Sequence, residues 1–327
     1  MKELVKRLVE AYGPTGSEEV VRELIAAEVT PYVDELQVDA LGNLIAIKRG
    51  GARKLMVASH MDEIGVMVTH IDEHGFLRFY NVGGLAPWTL VGNRCYFQNG
   101  TIGVFGHDRI DAIKDLTMNK MFIDIGAANR EEAVKLVRIG DTAAIKREFA
   151  DLGQRLVSKA MDDRVACAVL IEALKQVKTP QYDIYAVFTT QEEVGLRGAR
   201  VAAYGITPDL GIAVDVTRTG DTPKAATMDV ELGKGPTVKV RDSSLLCTPA
   251  VRRFMERVAE SRGIPYQLEV LEAGGTDAGA IQMTKSGIPA GVMSIPCRYV
   301  HTASEMVDLA DLENGVKLLV GVMETEF

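Results

Sequence analysis

The sequence predicts an α/β protein whose chain is interrupted by a smaller β-rich, barrel-like unit. Strand-sized apolar runs alternate with amphipathic helical periods over residues 1–65, and the same alternation returns over 158–327. Over residues 66–157 the texture differs: short strand-like runs are broken by glycines such as Gly75, Gly83-Gly84, Gly92 and Gly100, and helical periodicity is rare. At 327 residues, with 47% hydrophobic and 25% charged residues, the chain can bury a full core in one large domain or two modest ones.

The elements follow in order. Leu4, Val5, Leu8 and Val9 share one helical face, and Pro14-Thr15-Gly16 ends that helix. Thr15 with Glu18 reads as a capping box for a second helix burying Val20, Val21, Leu24 and Ile25. Extended segments are expected at residues 35–39, at 43–48 after a turn at Leu41-Gly42, and at 54–60. In the insert, residues 130–137 form the clearest helix. Beyond it come a helix at 163–177, strands at 183–190 and 210–215, and a helix at 249–262 opened by Pro249. Strands at 266–271 and 290–295 and a last helix from Asp308 complete the chain.

Composition narrows the function classes. The apolar runs are far shorter than the roughly 20 residues of a membrane helix, and the N-terminus lacks the apolar core of a signal peptide. Cys95, Cys167, Cys247 and Cys297 are dispersed, so neither a disulfide framework nor a thiolate metal site is expected. The formal charge of −8 comes without a basic stripe, which argues against nucleic acid. A soluble, cytoplasmic enzyme is the expectation.

Several strands run into potential metal ligands, at the sheet edge where α/β proteins gather their ligands. The 54–60 strand leads to His60-Met61-Asp62-Glu63, the 183–190 strand to Glu192-Glu193, and the 210–215 strand delivers Asp215. Asp162-Asp163 sits at a helix start, and His301 follows the 290–295 strand. Two imidazoles and several carboxylates at one edge point to metal-assisted hydrolysis. In extended chain His60 and Asp62 project to the same side, so Asp62 is placed to accept the second ring N–H of a ligating His60. Glu192 and Glu193 point apart, so one can bind metal while the other stays free as a base. His70, His74 and His107 have no such company and read as ordinary surface or core residues. Gly274-Gly275-Thr276-Asp277 lacks the lysine of a phosphate loop and reads as a turn lining a cleft.

Taken together, Ser59-His60-Met61-Asp62-Glu63-Ile64-Gly65, Met161-Asp162-Asp163-Arg164, Thr190-Gln191-Glu192-Glu193-Val194-Gly195, Val214-Asp215-Val216, Gly274-Gly275-Thr276-Asp277-Ala278 and Val300-His301-Thr302-Ala303-Ser304-Glu305 resemble the motifs of one family. It is that of the tetrahedral (TET) aminopeptidases, glutamyl-aminopeptidase-like metallopeptidases sometimes named cellulase M. The resemblance implies a phosphorylase/hydrolase-like α/β sandwich with an inserted β-barrel dimerisation domain. It implies two divalent ions, Zn²⁺ or Co²⁺, with Asp162 bridging them, His60 and Asp215 on one, and Glu193 and His301 on the other. Glu192 would be the catalytic base and Asp62 would orient His60. Short peptides with a free N-terminus would be the substrates, and a dimer-based dodecamer the assembly. The stretch Gly103-Val104-Phe105-Gly106-His107-Asp108 departs from the family pattern by lacking a Lys-Pro pair.

The residues leave other readings open: a deacylase or other amide hydrolase on the same scaffold, an endoglucanase, or a non-catalytic peptide-binding assembly. Arg218, Arg241 and Arg298 lie near the motifs and serve either to select an acidic side chain or to form ordinary ion pairs.

Overall fold

The apolar runs that precede the acidic motifs become neighbouring parallel strands. In the computed structural model, which describes residues 1–327, Asp183–Thr189 pairs with Lys54–His60, which pairs with Leu210–Thr217, which pairs with Ala290–Arg298. Side chains alternate across this sheet. Leu55, Val57, Ile212, Val214, Ile184 and Phe188 enter one core, while Met56, Ala58, Ala213 and Val187 enter a second. Burial on both faces is why these strands read as nearly continuous apolar runs instead of alternating ones.

One face is covered by the helices Lys2–Glu10, Glu19–Val29, Met161–Gln176, Pro249–Ser261 and Leu309–Met323. The shorter helices Arg197–Ile206 and Asp277–Gln282 cover the other. Leu44–Lys48 and Glu35–Val38 extend one edge of the sheet. Glu305–Asp308, Arg155–Ser158 and Ala150–Asp151 extend the opposite side, and Thr237–Arg241 branches from Ala290–Arg298 to carry Gln267–Val270. The result is an α/β sandwich.

The chain leaves this sheet after His60 and closes six strands into a barrel, in the order Gly65–Ile71, Leu77–Val82, Met121–Asp124, Ile102–His107, Arg94–Phe97, Thr142–Lys146. Closure leaves the barrel sheet without free edges. Its interior is a third core around Val66, Phe79, Phe97, Phe105 and Ile123. No helix of the protein is long and apolar enough to cross a membrane.

The second helix departs from expectation. It buries Val21, Ile25 and Val29, Leu24 is only partly covered, and Val20 is 40% exposed. The capping box is also absent. The Thr15 hydroxyl donates instead to Asp62 Oδ2 (2.7 Å), while Glu18 Oε1 accepts the Gly16 N–H (2.8 Å) and the Gln191 N–H (3.2 Å). Both polar side chains turn away from the helix end and brace the loops of the acidic motifs.

Candidate metal centre

The parallel strands place their carboxyl ends side by side, and register brings the motifs together. His60 lies opposite Thr189, three residues before Glu192, and Asp215 lies one strand further on. Asp162 enters from the start of the Met161–Gln176 helix. His301 is presented by the turn between Ala290–Arg298 and Glu305–Asp308, with its own backbone in the left-handed region (φ 64°).

Two donor sets result. One ligating atom from each of His60, Asp162 and Asp215 falls within 4.8 Å of the others, and the same holds for Asp162, Glu193 and His301. Asp162 belongs to both. Its Oδ1 is 3.0 Å from His60 Nε2, and its Oδ2 is 3.3 Å from His301 Nε2. Glu193 Oε2 is 3.4 Å from His301 Nε2, while its buried Oε1 has no hydrogen-bond partner. Glu192 belongs to neither set and stands at the edge, its Oε2 3.9 Å from His60 Nε2.

Asp62 holds the arrangement from behind. Its Oδ1 accepts the Glu192 N–H (3.0 Å) and its Oδ2 accepts the Glu193 N–H (3.2 Å). His60 Nδ1 is nearer the Asp62 carbonyl (3.1 Å) than its carboxylate (3.4 Å), so the Asp62 side chain fixes the glutamate turn at least as firmly as the imidazole.

Sequence reasoning assigned no separate role to Glu305, yet its buried carboxylate accepts the backbone N–H groups of both Asp162 (2.9 Å) and His301 (2.7 Å). Its presence inside the Val300–Glu305 motif was the available signal. The barrel also reaches the site. A Cβ on Gly84 would lie 2.7 Å from His301 Nδ1, and one on Gly83 would lie 3.1 Å from Glu193 Oε2.

The electrostatics call for a cation. Burial, then repulsion from neighbours such as Asp215 and Asp162, pushes the Glu192, Glu193 and Asp215 carboxyls up, although nearby imidazoles oppose the shift. Burial opposes charge on His301 as well, but Asp162 and Glu193 outweigh it and drive the imidazole up to about 12. So many buried carboxylates around two imidazoles, with an unpartnered glutamate oxygen among them, fit divalent ions with mixed nitrogen and oxygen ligands.

The donor sets open onto a cleft of about 370 Å³ that Thr217, Arg218, Leu271, Gly274 and Gly275 also line. The glycine turn thus lines a cleft. A larger hollow of about 690 Å³ beside Arg200, Tyr204 and Met283 holds no such donor set. Of the three arginines, Arg298 is engaged by Asp221 (2.7 and 2.9 Å), Arg241 lies outside the cleft lining, and Arg218 lines it.

Comparison with known proteins places the chain in a family. The profile of the M42 glutamyl aminopeptidases matches residues 42–318. The chain belongs to that family. A protein of Acetivibrio thermocellus, described only provisionally as an aminopeptidase, is 51% identical over 98% of this chain and 97% of its own length. The lysyl aminopeptidase of Pyrococcus furiosus is 38% identical, covering 98% of this chain and 96% of its own. Among solved structures, the Pyrococcus horikoshii TET1 peptidase, described as assembling into a tetrahedron or a large octahedral shell, superposes with a TM-score of 0.89. It is 35% identical and covers 98% of each chain.

Proposed function

We propose that this aminopeptidase works with two divalent ions, removing N-terminal residues from short peptides. The observation that carries the reading is Asp162 set between two imidazoles, each completing a separate donor set. His60, Asp162 and Asp215 would hold one ion; Asp162, Glu193 and His301 would hold the other. Zinc and cobalt both suit such a set. Ions held there supply Lewis acidity, acidifying water and polarising a carbonyl.

The chain's own residues supply the proton transfers. Glu192, outside both sets but next to His60, takes the proton of the attacking water and returns it to the leaving amine. Asp62 fixes the backbone of Glu192 and Glu193 together, so base and ligand keep a constant offset. The excess of carboxylates around the cleft favours a free α-ammonium group, which directs cleavage to the N-terminus. The barrel strands span residues 65–146, most of the 66–157 insert, while Ala150–Asp151 and Arg155–Ser158 at its end rejoin the large sheet. The barrel presents exposed Tyr80, Trp88, Ile102 and Val104, side chains suited to pairing two subunits. A dimer-based dodecamer like the TET assemblies follows as part of the proposal.

The test is a panel of aminoacyl-p-nitroanilides, assayed after chelation and again after adding Zn²⁺ or Co²⁺, with N-acetylated and cellulose-derived controls. Metal-dependent release from free-amine substrates alone is expected. Release from the acetylated control would favour a deacylase, and none from any aminoacyl substrate with metal bound would reject the reading.

A further inference from the structure

Lys239 is a cation buried where no substrate or solvent reaches it. Its side chain is fully covered, and Nζ lies 2.9 Å from Glu269 Oε1 and 3.5 Å from Asp242 Oδ2, both also buried. Nζ makes no well-directed hydrogen bond, so proximity of charge holds it there. A buried ion pair is weak evidence for stability, because apolar side chains of similar volume often serve as well or better; its best-attested use is to fix register. What Lys239 registers can be read from its partners.

Glu269 Oε1 accepts the Thr217 hydroxyl (2.7 Å), and its Oε2 accepts that of Thr237 (2.6 Å). Thr217 ends the strand that carries Asp215 and lines the cleft. Asp242 Oδ2 accepts the Thr276 hydroxyl (3.1 Å), and its Oδ1 accepts the Ser244 and Leu245 N–H groups (2.8 and 2.7 Å). The neighbouring Ser243 N–H donates to the Gly274 carbonyl (3.0 Å). Gly274 and Gly275, immediately before Thr276, line the same cleft. Each of these two lining segments, a wall of the cleft in its own right, is therefore tied to a carboxylate, and the two carboxylates meet at one ammonium group.

We propose that Lys239 is a positioning residue that sets the separation of the two cleft walls, and through it the N-terminal side chains the enzyme accepts. The inference rests on the cleft being the aminopeptidase site. Lys239 touches no substrate; it acts through Thr217 on one side and through Asp242 and the Gly274–Thr276 turn on the other. Without the cation, two buried carboxylates face each other uncompensated and the walls move apart. Glu193, Asp162 and His301, held by Asp62 and Glu305 instead, stay in place.

The experiment measures kcat and KM on alanyl-, leucyl-, phenylalanyl-, glutamyl- and lysyl-p-nitroanilide for wild type, Lys239→Met, the charge-balanced pair Lys239→Met with Glu269→Gln, and Thr217→Val. Bound metal is counted in each. The expected result is a reordering of preference. The kcat/KM ratio of phenylalanyl to alanyl substrate shifts tenfold or more in Lys239→Met and about threefold in Thr217→Val. The shift lies mainly in KM, with bound metal unchanged. Should Lys239→Met fail to fold, the balanced pair and Thr217→Val carry the same test. A uniform fall across all substrates, or unchanged ratios in folded variants, overturns the inference while leaving the aminopeptidase reading intact. A metal-loaded wild type inactive on the whole panel overturns both.

Discussion

Replacing Gly84 by alanine should disable one ion site and spare the other. The added Cβ would sit 2.7 Å from His301 Nδ1 and 2.9 Å from its Cε1, closer than real Cβ contacts allow. Relief to an ordinary 3.4 Å contact requires the ring to move by about 0.7 Å, if the ring alone yields. Metal–imidazole bonds tolerate roughly ±0.2 Å around about 2.0–2.1 Å, so a shift of that size costs the ligand its bond. The ring has little freedom to compensate. Asp162 and Glu193 stand 3.3 and 3.4 Å from its Nε2, and Glu305 grips its backbone N–H at 2.7 Å. Disturbing even an indirect partner of a metal ligand typically weakens binding on the order of 10–100-fold, so at least that loss is expected at the site containing His301. Titration of metal-free protein with Zn²⁺ by calorimetry should show two strong sites in wild type and one in Gly84→Ala. Gly205→Ala, where the new methyl meets nothing within 4 Å, is the control. Two sites of unchanged affinity in Gly84→Ala would refute the claim that the barrel shapes the metal centre.

Three further outcomes are expected. Glu192→Gln should retain both ions while kcat falls about 10²–10⁴-fold, the usual scale for a lost general base; near-normal turnover would reject Glu192 in that role. Asp311, buried while accepting the Gly233 and Gly235 N–H groups, has its carboxyl pushed up to about 6 by burial. Because that lies above the unfolded value of 3.8, the native state holds the extra proton between those limits. Stability is therefore lost as pH rises through them, and the cost is fully present above about 6, roughly 3 kcal/mol. Urea denaturation of Asp311→Asn should show wild type losing about that much relative to the variant between pH 3.5 and 7, whereas a pH-independent difference would contradict the account. Arg164, fully buried, donates to the Leu8 and Gly13 carbonyls (2.7 and 3.2 Å) and lies 3.4 Å from Glu63. Because Lys159 still pairs with Glu63 (2.6 Å), Arg164→Met should destabilise the fold by about 1–3 kcal/mol in a denaturant titration, and a loss under about 0.5 kcal/mol would show that these contacts contribute little.

The central strands were legible because burial on both faces leaves an unmistakable apolar run, as in Ile184–Phe188, and the acids that follow cannot be core residues. The motif residues were legible for the same reason. Asp162 stands at a helix start, Asp215 near a strand end, and Glu192, Glu193 and His301 in turns beyond strands. The Arg197–Ile206 helix was not, because it packs through Gly198, Ala199, Ala202 and Ala203, small residues that leave little hydrophobic signal. Val20 was misplaced because the helix turns its Val21–Ile25–Val29 stripe inward, a rotation that periodicity alone leaves open. Thr15 and Glu18 satisfied the capping pattern, but partners distant in sequence, Asp62 and Gln191, claimed them. Lys239 gave no signal at all. An isolated lysine reads as surface until the fold shows two carboxylates closing over it.

The position of the barrel has a consequence for the order in which the protein is made. His60 leaves the ribosome before the barrel, and His301 about 240 residues later, which at roughly 5–20 residues per second takes on the order of ten to fifty seconds. For about the first half of that interval the Lys54–His60 strand has neither parallel neighbour, since Asp183–Thr189 and Leu210–Thr217 are still to come. The barrel strands all lie between residues 65 and 146, so every one of them is made before either neighbour. The nascent chain thus exposes an apolar strand until about two-thirds of it is made, and the donor set of Asp162, Glu193 and His301 stays incomplete until His301 emerges. Delayed assembly keeps a potential hydrolase inert while it is still attached to the ribosome.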